Sequence, residues 1–186
     1  MNLNDFVVVV NGALTEEMCL HILDRYESNP DLIERVEHEN KPNFNQMDLS
    51  KHLTEKNPQF HRELSERFSG LWDIYQDQVN PMFDLISKNF IWEGFRVKHY
   101  EVEKEDSFDL HSDSMNKATC SRMLSMFVYL NDVTEGGETV FPYIGLKIAP
   151  VQGSAVIFPP MWQYPHAGLA PVSNDKFLLS TYVHYA

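Results

Sequence analysis

From about residue 91 the chain changes texture, and that change limits the folds open to it. "FRVKHYEV" (95–102), "RMLSMFVYL" (122–130), "SAVIF" (154–158) and "KFLLSTYVHY" (176–185) are rich in β-branched and aromatic residues. Breaks containing Gly or Pro, such as "EGGE", "APVQGS" and "PP", separate them, the pattern of many short strands. Strands that follow a helical beginning predict an α+β fold: a barrel or jelly roll with N-terminal helices packed on one outer face. Ahead of them, "FVVVV" (6–10) reads as a buried strand. Thr15 supplies an N-cap for a helix with Met18, Ile22, Leu23 and Tyr26 as apolar positions, ending before "NPD" (29–31). Residues 38–57 are polar and irregular and read as a long surface loop. Asn57 and Pro58 then open a second helix bearing Phe60, Leu64, Phe68, Leu71, Tyr75 and Val79. Pro81 ends or kinks it, and a short further helix can run from Phe83 to Ile86. No repeat or linker interrupts the chain, so the expectation is one domain over 1–186, helix-rich to residue 90 and strand-rich from 91.

Composition excludes several classes of function. With 43% hydrophobic and 12% aromatic residues among 186, the chain has enough apolar material for one core. A formal net charge of −12 and a pI near 5.0 weigh against a phosphate-tracking surface, so nucleic acid is disfavoured as a partner. Two cysteines, Cys19 and Cys120, lack CxxC spacing; two free thiols is the plain reading, and a single disulfide stays open. The "FVVVV" run is too short for a signal peptide or a membrane span, so no membrane partner and a cytoplasmic location are expected.

Within the strand-rich part, "DLHSDSM" (109–115) sets His111 and Asp113 two residues apart. In a strand those positions share a face, so both side chains would meet at one spot. Taken alone, the pair reads equally well as a polar strand end with a local hydrogen bond. His166 and Lys176 bring more. Two histidines and one carboxylate make a facial triad that suits non-haem Fe(II) and leaves open positions for a dicarboxylate cosubstrate. A lysine opening an apolar strand is costly unless an anion meets it, and Lys176 shares strand parity with Ser180 and Tyr182. Gly136 and Gly137 read as a tight turn. His21, His38, His52 and His61 read as solvated, and His99 and His184 receive no role.

The stretch "RMLSMFVYLNDVTEGGETVFP" (122–142) resembles the signature of the prolyl 4-hydroxylases, within the iron- and 2-oxoglutarate-dependent oxygenases. "LHSD" before it, and "PHAG" with Lys176 after it, stand at the family's positions and spacing, so the resemblance covers about residues 95–185. It implies a double-stranded β-helix (jelly-roll) catalytic core over 91–186, supported by the region 1–90. It implies Fe(II), 2-oxoglutarate and O2 as cofactors, with ascorbate as a further candidate. It also assigns roles. His111, Asp113 and His166 would be the iron ligands, Lys176 would bind the distal carboxylate of 2-oxoglutarate, and Tyr129, Tyr100 and Ser180 would line the cosubstrate pocket. Arg122 would contact the substrate. Tyr182 stands where the family usually has tryptophan, a departure that bears on how substrate is stacked. Arg122 and Tyr129 have opposite strand parity, so both face the site only if a bulge or strand end intervenes.

The activity so implied is that of a procollagen-proline 4-dioxygenase-like enzyme. Peptidyl proline would be hydroxylated at C4 while 2-oxoglutarate becomes succinate and CO2, the partner being a peptide or protein that contains proline. The alternatives are the same chemistry on a free amino acid or lysyl residue, or a non-catalytic metal-binding module of the same fold. Residues 101–110, "EVEKEDSFDL", and the stretch 38–57 are the candidate lids.

Overall fold

The helices begin where the sequence supplies caps. In the computed structural model, which describes residues 2–38, 42–79 and 89–186, the Thr15 hydroxyl accepts a 3.2 Å bond from the Met18 amide and opens helix α1 (Glu16–Glu27). Glu16 and Glu17 fill its first turn and Arg25 its last, each on the favourable end of the helix dipole. Asn57 Oδ1 accepts from the Phe60 amide at 3.2 Å, and Pro58 takes the first position of α3 (Pro58–Gln78). Phe60, Leu64, Phe68, Leu71 and Tyr75 form its buried stripe, and Val79 caps it. The expected break at Pro81 and the short helix from Phe83 to Ile86 lie outside the described residues.

The stretch 38–57 departs from expectation. Instead of a surface loop, its described part holds strand β3 (Asn43–Asp48) and helix α2 (Leu49–Lys56). Asp48 ends the strand and caps the helix, accepting a 3.0 Å bond from the Lys51 amide. Only Phe44 and Met47 of the strand, and Leu49 and Leu53 of the helix, are buried. The polar residues between them mask a two-sided pattern, and so hid both elements. This stretch is therefore built into the fold rather than draped over it as a lid.

Along the chain the remaining strands are β1 (Val8–Val10), β2 (Glu34–Glu37), β4 (Phe90–Trp92), β5 (Arg96–Tyr100) and β6 (Phe108–His111). They continue with β7 (Arg122–Tyr129), β8 (Thr139–Phe141), β9 (Leu146–Ile148), β10 (Ala155–Phe158), β11 (His166–Gly168) and β12 (Lys176–Tyr185). They form two sheets. The larger has the order β1-β10-β7-β12-β5-β3-β2, with β4 also paired to β12; the smaller runs β6-β11-β8-β9. Every pairing is antiparallel. The first ninety residues are thus more than a helical layer, because β1, β2 and β3 lie in the large sheet.

Strand alternation sorts the core into two halves. Leu124, Met126 and Val128 of β7, with Ala155 and Ile157 of β10 and Val97, Leu179 and Val183, meet Ile22, Leu64, Phe68 and Leu71 of the helices. Their neighbours Phe127, Tyr129, Val156, Phe158, Tyr100 and Leu178 point the other way, toward Phe141 and Ile148 of the small sheet. One sheet therefore carries helices on its outer face and the small sheet on its inner face, the expected jelly-roll arrangement. Cys19 is buried on α1 and Cys120 exposed, both as free thiols. Among the described residues no helix is long and apolar enough to cross a membrane.

Leu53 is wholly buried on α2, so Leu53→Ala is expected to cost about 3 kcal/mol in denaturant unfolding. A surface-loop leucine would cost roughly 0.5 kcal/mol or less, and that result would return the segment to solvent.

Candidate metal centre and its cavity

Strands β6 and β11 pair so that His111 and His166 are direct register partners. Directly opposed residues on one face of an antiparallel pair bring their side chains together. The two rings lie 4.3 Å apart, centroid to centroid. Each is oriented by its own backbone: Nδ1 of His111 meets the Asp109 carbonyl at 2.7 Å and Nδ1 of His166 the Tyr164 carbonyl at 3.1 Å. A carbonyl only accepts, so both Nδ1 atoms carry the proton and both Nε2 atoms present a lone pair.

Those lone pairs meet Asp113. Its Oδ1 stands 3.3 Å from His111 Nε2 and its Oδ2 3.5 Å from His166 Nε2. Asp113 lies just past the end of β6, where its amide and that of Ser114 both donate to the Pro160 carbonyl at 3.0 Å. One ligand-type atom from each of His111, Asp113 and His166 lies within 4.8 Å of the others. Burial alone would raise the Asp113 carboxyl, but the adjoining His111 and His166 rings, with Lys98 beyond them, outweigh it and hold the group well below the usual carboxylate range. Burial pulls His166 down to about 4 against the opposing Asp113 charge, which keeps its imidazole neutral. Two neutral imidazole nitrogens and one carboxylate, on one side of a shared centre, fit a ferrous ion with open positions.

The same cavity holds a buried cation. Lys176 is 1% exposed; its ammonium donates to the carbonyls of Gly137 at 3.1 Å and Leu169 at 3.2 Å, and it lies 4.3 Å from the centroid of the Tyr100 ring. Among the described residues no carboxylate pairs with it. Burial draws it down to about 7, with Glu138 opposing. The expected turn at Gly136 and Gly137 is present, at φ of +75° and +73°, and it also presents the Gly137 carbonyl to this amine. Tyr100, Ser180 and Tyr182 line the cavity with the three triad residues.

Two sequence-derived candidates sit at its edges. Tyr129 is fully buried behind the cavity wall and donates a 2.7 Å bond to Thr139 Oγ1; it is Thr139 that lines the cavity. Arg122 is not among the lining residues; it lies beside Tyr182, which is, and the β7–β12 register slips next to it, between Val183 and His184. Its guanidinium lies 3.8 Å from the centroid of the Tyr182 ring, donates to the Asp113 carbonyl at 3.3 Å and pairs with Glu93 at 3.2 Å. Glu93 also holds Arg96 and His184. The acidic stretch 101–110 is tied down rather than free: the Asp106 carboxylate, 0% exposed, takes two 2.7 Å bonds from Arg35.

Sequence reasoning missed seven lining residues, among them Lys98, Phe108, Ser125 and Thr139. Strand parity with Tyr100 marks Lys98, and parity with Phe127 marks Ser125. Phe108 stacks flat on His111, with centroids 3.5 Å apart and planes 7° apart. His21, expected in solvent, packs on Phe60 at 4.3 Å, and His99 stacks on Phe177 at 4.0 Å.

Residues 95–184 match the model of the 2OG-Fe(II) oxygenase superfamily. The chain is 37% identical over 104 residues to probable prolyl 4-hydroxylase 3 of Arabidopsis thaliana, a match covering 44% of this chain and 35% of that protein. The segments matched span between 29% and 42% of the first such relatives, less than half of each. Among solved structures, a viral collagen prolyl hydroxylase from Paramecium Bursaria Chlorella virus-1, in its 2OG complex, superposes with a TM-score of 0.71 at 19% identity, covering 97% of each chain. A Pseudomonas putida prolyl-4-hydroxylase gives 0.68 at 16% identity, over 97% of this chain and 93% of that one. At such identities these two establish the fold alone. The matched superfamily model and the curated relatives support a likeness to the prolyl 4-hydroxylases of the 2OG-Fe(II) oxygenase superfamily, carried by residues 95–184.

Proposed function

We propose that this chain is an Fe(II)- and 2-oxoglutarate-dependent dioxygenase that hydroxylates proline in a peptide or protein at C4. The supporting observation is a single cavity that holds three converging ligand-type atoms and, farther along, a buried lysine that pairs with no carboxylate among the described residues. One O2 is consumed; one oxygen atom enters the substrate C–H bond, and the other enters succinate as 2-oxoglutarate loses CO2.

In this reading His111, Asp113 and His166 hold the iron. When bound, the metal supplies the oxygen-dependent oxidation of 2-oxoglutarate and substrate; the chain supplies position, charge and exclusion of water. The backbone carbonyls of Asp109 and Tyr164 fix both imidazoles with Nε2 toward the centre. Lys176 takes the distal carboxylate of 2-oxoglutarate. Its ammonium already stands between two carbonyls and the face of Tyr100, so little ordering remains when the anion arrives. Ser180 and Tyr100 line the same wall. Tyr129 acts through Thr139, which its hydroxyl holds in place. Arg122, lying against the Tyr182 ring that lines the cavity, would meet the peptide that flanks the target proline.

A panel of proline-containing peptides, incubated aerobically with Fe(II) and 2-oxoglutarate, should give a +16 mass shift on proline with equimolar succinate. Succinate without any peptide oxidation would remove proline as the target. Asp113→Ala deletes the only negative charge of the triad and should weaken Co(II) binding, read by calorimetry, by at least about tenfold with the fold retained. An unchanged isotherm would put the metal elsewhere. Lys176→Met should raise the 2-oxoglutarate requirement by about two orders of magnitude while metal affinity stays near wild type, and an unchanged requirement would assign the anion to another cation. The lysine must be protonated to hold the anion and, when free, loses its proton near pH 7. Above that pH the 2-oxoglutarate Kd should therefore rise about tenfold per unit, and a flat profile to pH 9 would contradict the assignment.

A further inference from the structure

Lys98 has no part in the site as described so far, yet it lines the same cavity. On β5 it shares a face with Tyr100. Across to β12, Tyr100 is paired with Lys176 and Lys98 with Leu178. Two residues along a strand is about 7 Å, so Lys98 sits one step from Lys176 toward the Ser180 and Tyr182 end. Its ammonium lies 5.2 Å from the Phe44 ring centroid and 6.0 Å from that of Phe108, the ring stacked on His111. Among the described residues no oxygen accepts from it. Arg96 and Arg122, its cationic neighbours, both have Glu93 as counterion.

In the oxygenase reading, on which this inference rests, the two charges of 2-oxoglutarate are matched by Lys176 and by the single positive charge left on Fe(II) beside Asp113. Asp113 and Glu93 are the acids that act on Lys98; in this reading the iron engages Asp113, and Arg96, Arg122 and His184 engage Glu93, so among the described lining residues the Lys98 charge is left uncompensated. A half-buried ammonium without a partner is unfavourable, and an aliphatic side chain against Phe44, Phe108 and Leu178 would avoid that cost. We propose that Lys98 is a specificity-determining residue whose ammonium receives a carboxylate carried by the primary substrate. That carboxylate belongs to a residue beside the target, to the substrate's own C-terminus, or to a free amino acid.

The test measures binding with the full chain loaded with Mn(II) and 2-oxoglutarate and with O2 excluded, so that no turnover occurs. Calorimetric titrations use acetyl-Gly-Pro-Gly as acid and as amide, acetyl-Glu-Pro-Gly amide beside its Gln counterpart, and L-proline beside L-prolinamide. Wild type should bind the carboxylate member of at least one pair about tenfold or more tightly, and the pair that discriminates identifies the source. Lys98→Met should level that pair and leave the Mn(II) and 2-oxoglutarate isotherms as in wild type; Lys98→Arg should keep the preference. The methionine removes a charge from apolar surroundings, so the fold should persist, with thermal unfolding as the check. Equal binding of acid and amide in every pair, or a preference that survives in Lys98→Met, would overturn the assignment. Loss of 2-oxoglutarate binding in Lys98→Met would overturn it too, in favour of a cosubstrate role. Failure of wild type itself to take up Mn(II) and 2-oxoglutarate would refute the oxygenase reading, and the role of Lys98 with it.

Discussion

Two histidines facing each other across one antiparallel strand pair are the constraint on which the rest of the site depends. His111 and His166 come from strands separated by more than fifty residues of chain, and the β6–β11 register alone makes them neighbours. Each ring is then locked by a bond to a carbonyl two residues earlier in its own segment. The device is local and needs no distant side chain. Its effect is to leave both Nε2 lone pairs aimed inward, where the Asp113 carboxylate lies. A ring flipped on either side would present a proton where a lone pair is required.

The large sheet makes this arrangement rigid. Its outward residues are held by α1 and α3 and its inward residues by the small sheet, so β7 and β12 are buried on both faces. An interior packed this closely resists deformation. That is where a cavity containing two lysines and a carboxylate has to be built, because polar groups withdrawn from water keep their geometry only within a stiff wall. Lys176 and Asp113 illustrate opposite outcomes of burial. Burial, with Lys98 adding to it and Glu138 opposing, pulls the lysine down, while the carboxyl beside two imidazoles stays ionised despite burial.

Much of this was legible in the sequence because it rests on local periodicity. Thr15 and Asn57 announce helix starts, and the spacing of Phe60, Leu64, Phe68 and Leu71 announces a buried helix face; His111 and Asp113 do converge, but Asp113 stands past the end of β6, held by the Pro160 carbonyl rather than by strand alternation. The parity conflict between Arg122 and Tyr129 made a bulge or strand end the condition for both to face the site, and the β7–β12 register does slip beside Arg122. What stayed hidden depends on distant pairing. Strand β3 is recognisable only once β5 and β2 flank it, since four of its six residues are polar or charged. Asp106 reads as one more acid in an acidic run until Arg35 is brought against it. Phe108 falls within the candidate lid 101–110, and Lys98 within a strand that assigns it no role. Only the assembled sheets show one stacked on a metal-ligand-type imidazole and the other in the same cavity.

The claim from which everything else follows is the first coordination shell, and X-ray absorption on the anaerobic Fe(II)-loaded protein reads that shell directly. The account predicts nitrogen and oxygen neighbours only, with outer-shell scattering from two imidazoles that shrinks to one in His166→Ala. A shell with sulfur in it, or one unchanged by losing His166, would show that the metal binds away from the His111, Asp113 and His166 centre.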